Sequence, residues 1–413
     1  MGHFMGSHMI LLPGILWYNG YSKFETNRRA KMLYREFGKT GEKVSILGFG
    51  LMRLPVIDED FGKINYDKAI PMVRYAIDQG VNYLDTAWTY HNGNSEAFCA
   101  KVLEDGYREK VNVATKLPVW EIKVHEDFYG LLDQQLERLK LETIDFYLLH
   151  AFNHGTWENC KAADFGLFLD KAKKSGKIRY AGFSFHDDLD LFKEIVDTYP
   201  WDFCQIQLNY MDENYQAGLE GMKYAHERGL GVIIMEPLRG GTLSKREIPK
   251  ELEDIWNQAE VRRTPAEWAL KYLWNKKEIG IVLSGMSEMC QAEENIRIAS
   301  ESEAGSLTAE ENKLIEQAKQ FFLERTVVNC TNCRYCMPCP VGVNIPENFW
   351  ALNHAAQFND HGKAEFWINE WLGQEARPSN CVECGLCESK CPQNIQIRKY
   401  LKVVKEKYEK VNP

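Results

Sequence analysis

Positive charge is in deficit in this chain: among 413 residues, 50 Lys and Arg face 59 Asp and Glu, for a net charge of −9 and a pI near 5.7. A general affinity for nucleic acid or an anionic membrane would favour a basic face, so both are set aside and the expected partners are small molecules or proteins. Long apolar runs are missing too. The longest candidate, ILLPGILWY at residues 10–18, falls well short of the ~20 residues a spanning helix needs and contains a proline. The preceding MGHFMGSHM has histidines and repeated methionines in place of a basic n-region, and no small-residue cleavage site follows, so no secretory signal is read. GSHM reads as a tag remnant, residues 1–31 as tag plus a poorly structured extension, and the compartment as a reducing cytoplasm. Cysteine is sparse through most of the chain: Cys99, Cys160, Cys204 and Cys290 stand at no ligand spacing and read as small buried hydrophobes.

What is present has a regular order. With 45% hydrophobic and 26% charged residues the composition is that of a globular protein, long enough for one large domain plus a small one. Eight short apolar runs rich in β-branched and aromatic residues lie between residues 44 and 300: VSILGFG, NYLDTA, VNVATKL, IDFYLLH, YAGFSF, FCQIQLN, GVIIMEP and IGIVLSG. Amphipathic stretches fill the gaps, among them YDKAIPMVRYAIDQG, EDFYGLLDQQLERLK, YQAGLEGMKYAHERG and TPAEWALKYLW, the last opening on a Thr-Pro start signal. Eight β-then-α units predict a (β/α)8 TIM barrel over residues 32–323, followed by a small domain over 324–413. A doubly wound open sheet is the alternative, but no G-x-G-x-x-G turn follows the first strand.

In a barrel, side chains at the C-terminal ends of the strands converge on one mouth. Asp85 and Tyr90 fall at and just after the second strand, Lys116 ends the third and His150 ends the fourth. Taken singly, a lysine after a strand is usually solvated and a histidine there is often a satisfied loop residue. Together they carry a chemistry. An ammonium beside a phenol favours its ionised form and lowers its pKa, and a carboxylate can hold that ammonium in place by a buried ion pair.

The stretch from YREFGKTGEKVSILGFG through LDTAWTY, the strand-end lysine and histidine, GFSF and GMSEMCQAEEN resembles the aldo-keto reductase family over about residues 32–300. The resemblance implies a tetrad of Asp85, Tyr90, Lys116 and His150, with Tyr90 as general acid or base, Lys116 as its activating charge, Asp85 holding the lysine, and His150 orienting the carbonyl oxygen. It also implies NADPH or NADH at the same mouth, with Ser184 and Gln205 on the carboxamide and Glu294 and Asn295 on the adenine. The match is uneven there. Phe185 stands where an asparagine is expected, Met235 where an aromatic ring stacks on the nicotinamide, and Gly285 and Gln291 where basic residues grip a 2′-phosphate. The substrate is not legible: Trp88, Trp120, Phe152 and Trp157 either line an apolar pocket or pack against the barrel.

The remaining eight cysteines crowd between Cys330 and Cys391. Without a secretory signal metal binding is favoured over disulfides. Cys381, Cys384, Cys387 and Cys391 followed by Pro392 have the C-x2-C-x2-C-x3-C-P spacing of bacterial ferredoxins; Cys330, Cys333, Cys336 and Cys339 followed by Pro340 are one residue shorter before the last cysteine. The reading is two 4Fe-4S clusters in a ferredoxin-like α+β or helical domain, with zinc as the rival. The ferredoxin resemblance implies crossed ligation, in which Cys391 joins Cys330, Cys333 and Cys336, while Cys339 joins Cys381, Cys384 and Cys387. The spacer of about forty residues between the runs reads as helical, its aromatic rings packing the small domain or docking it.

Nicotinamide delivers a hydride, whereas such clusters pass one electron at a time. Three functions therefore stay open: a carbonyl reductase or alcohol dehydrogenase whose clusters are structural or dock a partner, an electron-transfer enzyme in which clusters exchange electrons with the barrel site or with a redox protein partner, and a non-enzymatic carrier on a retired barrel.

Overall fold

The computed structural model describes residues 31–410; the tag and extension read at residues 1–31 lie, but for the last residue, outside the described part. All eight sequence-read strands form, as β1 (Leu47–Gly50), β2 (Tyr83–Asp85), β3 (Asn112–Leu117), β4 (Ile144–Phe152), β5 (Ile178–Phe185), β6 (Phe203–Gln207), β7 (Gly231–Met235) and β8 (Ile281–Ser284). They pair in chain order, all parallel, and β8 closes on β1. Closure leaves no strand edge, and helices cover the outer face, so the strands are buried on both sides and read as nearly continuous apolar runs.

Caps fix where the helices begin, and the Thr-Pro start signal acts as expected. Asn65 accepts from the Lys68 N–H to cap helix Tyr66–Asp78, and Thr264 caps Pro265–Trp274, which has proline at its first position where the missing N–H costs nothing. A hairpin of Tyr34–Glu36 and Lys43–Ser45 precedes the barrel and drives Phe37 into its closed end. The Phe37 ring is fully buried, edge-on to Phe146 at 5.5 Å and tilted on Phe203 at 5.9 Å. A side chain at Gly231, the first residue of β7, would put its Cβ 2.6 Å from that ring, so only glycine lets the plug seat.

Helix Ala309–Arg325, opened by a Thr308/Glu311 capping box, leads out of the barrel. Residues 326–410 contain no strand among those described. Of the two forms expected for the small domain the structure takes the helical one, built on Ile345–Phe358, His361–Phe366 and Ile397–Tyr408. This region has its own apolar cluster, centred on Val343, Phe349, Leu352, Ile397 and Leu401, distinct from the barrel's. Rings of the spacer pack on one another there, Trp350 stacked on His354 and tilted against Trp367. No described helix is long and apolar enough to cross a membrane.

Replacing Phe37 with Ala should lower unfolding free energy by roughly 3–5 kcal/mol through lost burial and a residual cavity. Urea denaturation of the two proteins checks it.

Candidate active site and cysteine loop

Asp85, the last residue of β2, and Lys116, near the end of β3, meet inside the mouth with Nζ to Oδ1 at 2.6 Å and almost no exposed surface. The ammonium donates further to the Thr86 carbonyl at 2.9 Å and to the Tyr90 hydroxyl at 3.1 Å, which uses its three hydrogens. Tyr90 is held by the turn that follows it: His91 and Asn92 take left-handed backbone conformations, while the buried His91 ring bonds the Phe61 carbonyl through Nδ1 at 2.7 Å and stacks on Phe61. His150 sits at an irregularity in β4, where pairing with β5 slips between Leu149 and Phe152 and Ala151 adopts a left-handed conformation. Bulges of this kind re-aim a side chain. Here the freed Ala151 N–H donates to Ser184 Oγ at 2.7 Å.

The electrostatics correct one expectation. Burial pushes the Asp85 carboxyl up and the Lys116 ammonium down, each opposed by the other. The Tyr90 phenol is not lowered but pushed well above its ordinary value, first by burial and then by the Asp85 and Glu236 carboxylates, with Arg53 pulling the other way. In the resting site the lysine's charge is already balanced by its aspartate, so the phenol stays protonated until charge develops beside it. Burial, then the charges of Lys116 and His186, hold His150 well below the usual imidazole value, and it is neutral.

The four residues read as nicotinamide contacts are placed less simply. Ser184 is spent on Ala151, and Glu294 is engaged by Arg246 and by Thr264, whose hydroxyl donates to it at 2.8 Å. Asn295 donates to Ser284 Oγ at 2.9 Å. Gln205 is buried, its amide 3.5 Å from Met235 Sδ and its oxygen without a partner among the described residues. Over the ends of β6 and β7 lie chain segments 330–333 and 392–393: Gln393 donates to Gln207 Oε1 at 2.9 Å, Gln216 donates to the Pro392 carbonyl at 3.0 Å, and a Cβ on Gly240 would come within 2.6 Å of the Thr331 carbonyl. Arg53 donates to the Asn332 carbonyl at 2.5 Å. The segment carrying the first cysteine run thus covers the part of the mouth where the resemblance places nicotinamide.

That run brings Tyr335 with it, whose hydroxyl shares a 2.7 Å hydrogen bond with His150 Nε2. One cleft of about 1250 Å³ is walled by Tyr90, Trp120 and His186 from the barrel and by Cys333, Tyr335, Cys391 and Pro392 from the small domain. Of the loop aromatics left open by the sequence, Trp120 lines this cleft, Phe152 and Trp157 are core, and Trp88 lies under the Arg138 guanidinium at 3.5 Å.

The cysteines fit iron–sulfur better than zinc. Four thiolates on one zinc at ~2.3 Å would stand about 3.8 Å apart. Among the described residues no three cysteine sulfurs come within 4.8 Å of one another, wider than one zinc would hold them. Burial pushes Cys330 up to about 11 and Cys336 up to about 12, with Cys391 also raising both, so their ionisation depends on a cation. Cys336, Cys339, Cys381, Cys384 and Cys387 surround a separate cavity of about 40 Å³.

Sequence reading missed Tyr335, Arg53 and Glu236. Glu236, just past β7 in a left-handed conformation, is pushed up to about 7 by burial, against a hydrogen bond from Thr331. Tyr335 had a visible signal, an aromatic residue inside a cysteine run, but nothing in the spacing says which way such a ring points.

A closed parallel barrel with an Asp, Tyr, Lys and His at its mouth and a cysteine-rich domain over it defines an oxidoreductase class. Residues 46–320 match the model of the Aldo/keto reductase family, and residues 329–395 that of the 4Fe-4S dicluster domain. The chain belongs to the aldo/keto reductase family and carries a 4Fe-4S dicluster domain. It is 31% identical over 294 residues to L-galactose dehydrogenase of Arabidopsis thaliana, covering 66% of this chain and 90% of that protein. It is 26% identical to the uncharacterized oxidoreductase YqkF of Bacillus subtilis, over 69% of this chain and 96% of that one. Among solved structures, the holo form of aldo-keto reductase AKR11C1 from Bacillus halodurans superposes with a TM-score of 0.58 at 27% identity, covering 70% of this chain and 96% of that one.

Buried histidines give the fold a pH dependence of known sign. His186 and His354 are lowered from 6.5 to about 4 by burial, and His150 is held well below 6.5, also by burial first. Between pH 6.5 and 4 the unfolded chain binds protons that the folded chain does not, so stability is full above 6.5 and lost as pH falls through that window. Denaturation across the window should show the loss, and His186→Gln should remove part of the slope.

Proposed function

We propose that the protein interconverts a carbonyl and an alcohol of a small molecule in the cleft between barrel mouth and cysteine loop, with Tyr90 carrying the proton and the electrons arriving singly by way of the iron–sulfur domain. One observation carries the reading: the same cleft is walled by Tyr90 and by Cys333 and Cys391. The contacts of segments 330–333 and 392–393 over the ends of β6 and β7 support this reading over nicotinamide as the direct reductant.

Each residue of the mouth then has a task. Tyr90 donates its proton to the carbonyl oxygen as charge gathers there, and accepts it in the reverse direction. Lys116, fixed by Asp85, stabilises the phenolate left behind. His150 orders the hydroxyl beside it. Cys330, Cys333, Cys336 and Cys391 would hold one 4Fe-4S cluster, and Cys339, Cys381, Cys384 and Cys387 the second. When bound, these clusters supply single electrons. The second site is the outward one: Cys384 is exposed, and Val382 and Leu386 beside it are 63% and 51% exposed, an entry point for a protein electron donor.

The second reading, a nicotinamide-dependent reductase with structural clusters, keeps one observation in its favour: the buried Gln205 oxygen, without a partner among the described residues. Titration with NADPH and NADH separates the two. Turnover driven by a viologen, with neither nicotinamide changing protein fluorescence, supports the first reading; tight nicotinamide binding with hydride transfer replaces it by the second.

Tyr90→Phe should reduce turnover by about 10²- to 10⁴-fold with iron content unchanged, checked by steady-state rates alongside iron analysis; an unaltered rate removes Tyr90 from the mechanism. Cys391→Ser should lower iron from about eight to about four per chain, measured on anaerobically reconstituted protein.

A further inference from the structure

The family resemblance puts an imidazole against the substrate oxygen, but in this protein that imidazole is behind another side chain. His150 Nε2 is engaged by the Tyr335 hydroxyl at 2.7 Å. The Tyr335 ring centroid lies 5.9 Å from those of both His150 and His186, at steep angles to each. Tyr335 and Tyr90 are among the residues walling the cleft and His150 is not. Each hydroxyl has its own buried support, Tyr90 from Lys116 and Asp85, Tyr335 from His150.

We propose that Tyr335 is a catalytic residue of the barrel site, a second proton donor brought by the cysteine loop to face the reacting carbonyl beside Tyr90, with His150 acting through it as a positioning residue. This rests on the single-electron reading above. A hydride carries its own hydrogen to carbon, so hydride transfer needs one acid. Reduction by single electrons needs two: the carbonyl takes up two electrons and two protons, its C=O π bond breaks, one proton forms the O–H bond and the other the C–H bond. Two equivalents of a one-electron donor of the ferredoxin class are oxidised. Tyr90, beside the ammonium that stabilises its phenolate, serves the oxygen. Tyr335 serves the carbon, and both phenols regain protons from water in the cleft.

The test uses the full chain with its iron–sulfur content reconstituted anaerobically, methyl viologen kept reduced by dithionite as donor, and acetophenone, benzaldehyde and pyruvate as probes in D2O. The wild-type product should carry deuterium at the carbinol carbon, and acetophenone and pyruvate should each give one enantiomer. Tyr335→Phe should slow turnover about tenfold or more, and give racemic alcohol with unchanged iron content. It should also weaken binding of the probes to the oxidised protein by roughly tenfold, read by tryptophan fluorescence, since Trp120 lines the cleft. A tyrosine that merely latched the loop would leave enantiomeric excess intact in whatever activity survived. Full rate and enantiomeric purity in Tyr335→Phe, with Tyr90→Phe inactive, overturn this proposal alone. Protium at the carbon, an active Tyr90→Phe, or no reduction of any probe overturns the single-electron reading beneath it.

Discussion

A lysine ammonium with no exposed surface persists in this barrel because Asp85 takes its charge at 2.6 Å and two oxygens accept its other hydrogens. Taking either partner away would strand the other charge in a low-dielectric interior, at a cost on the order of 3–5 kcal/mol. The pair therefore fixes the ends of β2 and β3 relative to each other, and with them the Tyr90 hydroxyl. The same balance sets the chemistry. A lysine whose charge is already matched does not ionise a neighbouring phenol at rest, and burial keeps Tyr90 protonated. In the proposed reaction its field acts when a proton leaves, because a preorganised charge needs no rearrangement at that moment.

The second constraint is the small domain's position over the mouth. It is held by polar contacts spread along the rim: Arg53 to Asn332, Gln393 to Gln207, Gln216 to Pro392 and Tyr335 to His150. None is large, but together they close the β6–β7 side and leave the cleft at the β2–β5 side open. A group bound by Cys330, Cys333, Cys336 and Cys391 would stand at the wall of that cleft, while the exposed Cys384 marks the outward set.

Much of this was legible in the chain. The eight strands, the Thr-Pro helix start and the cysteine runs are local patterns, and the barrel follows because each element must bury its apolar face against the next. Asp85, Tyr90, Lys116 and His150 were readable because strand ends in a barrel share one mouth. Tyr335 was not, since a ring in a loop has no periodicity to reveal its direction. The raised Tyr90 pKa was not legible either: it depends on burial and on Glu236, 146 positions away in the chain.

By itself, then, the sequence determined the parts: a barrel, a tetrad on its strand ends, and two cysteine runs with iron–sulfur spacing, all properties of short segments with fixed geometry. Only the tertiary structure decided how the parts face each other, with the cysteine loop over the strand ends where a nicotinamide was expected and Tyr335 between His150 and the cleft. The reason is that docking of the two bodies rests on many weak contacts between residues far apart in the chain, and no local spacing encodes their sum.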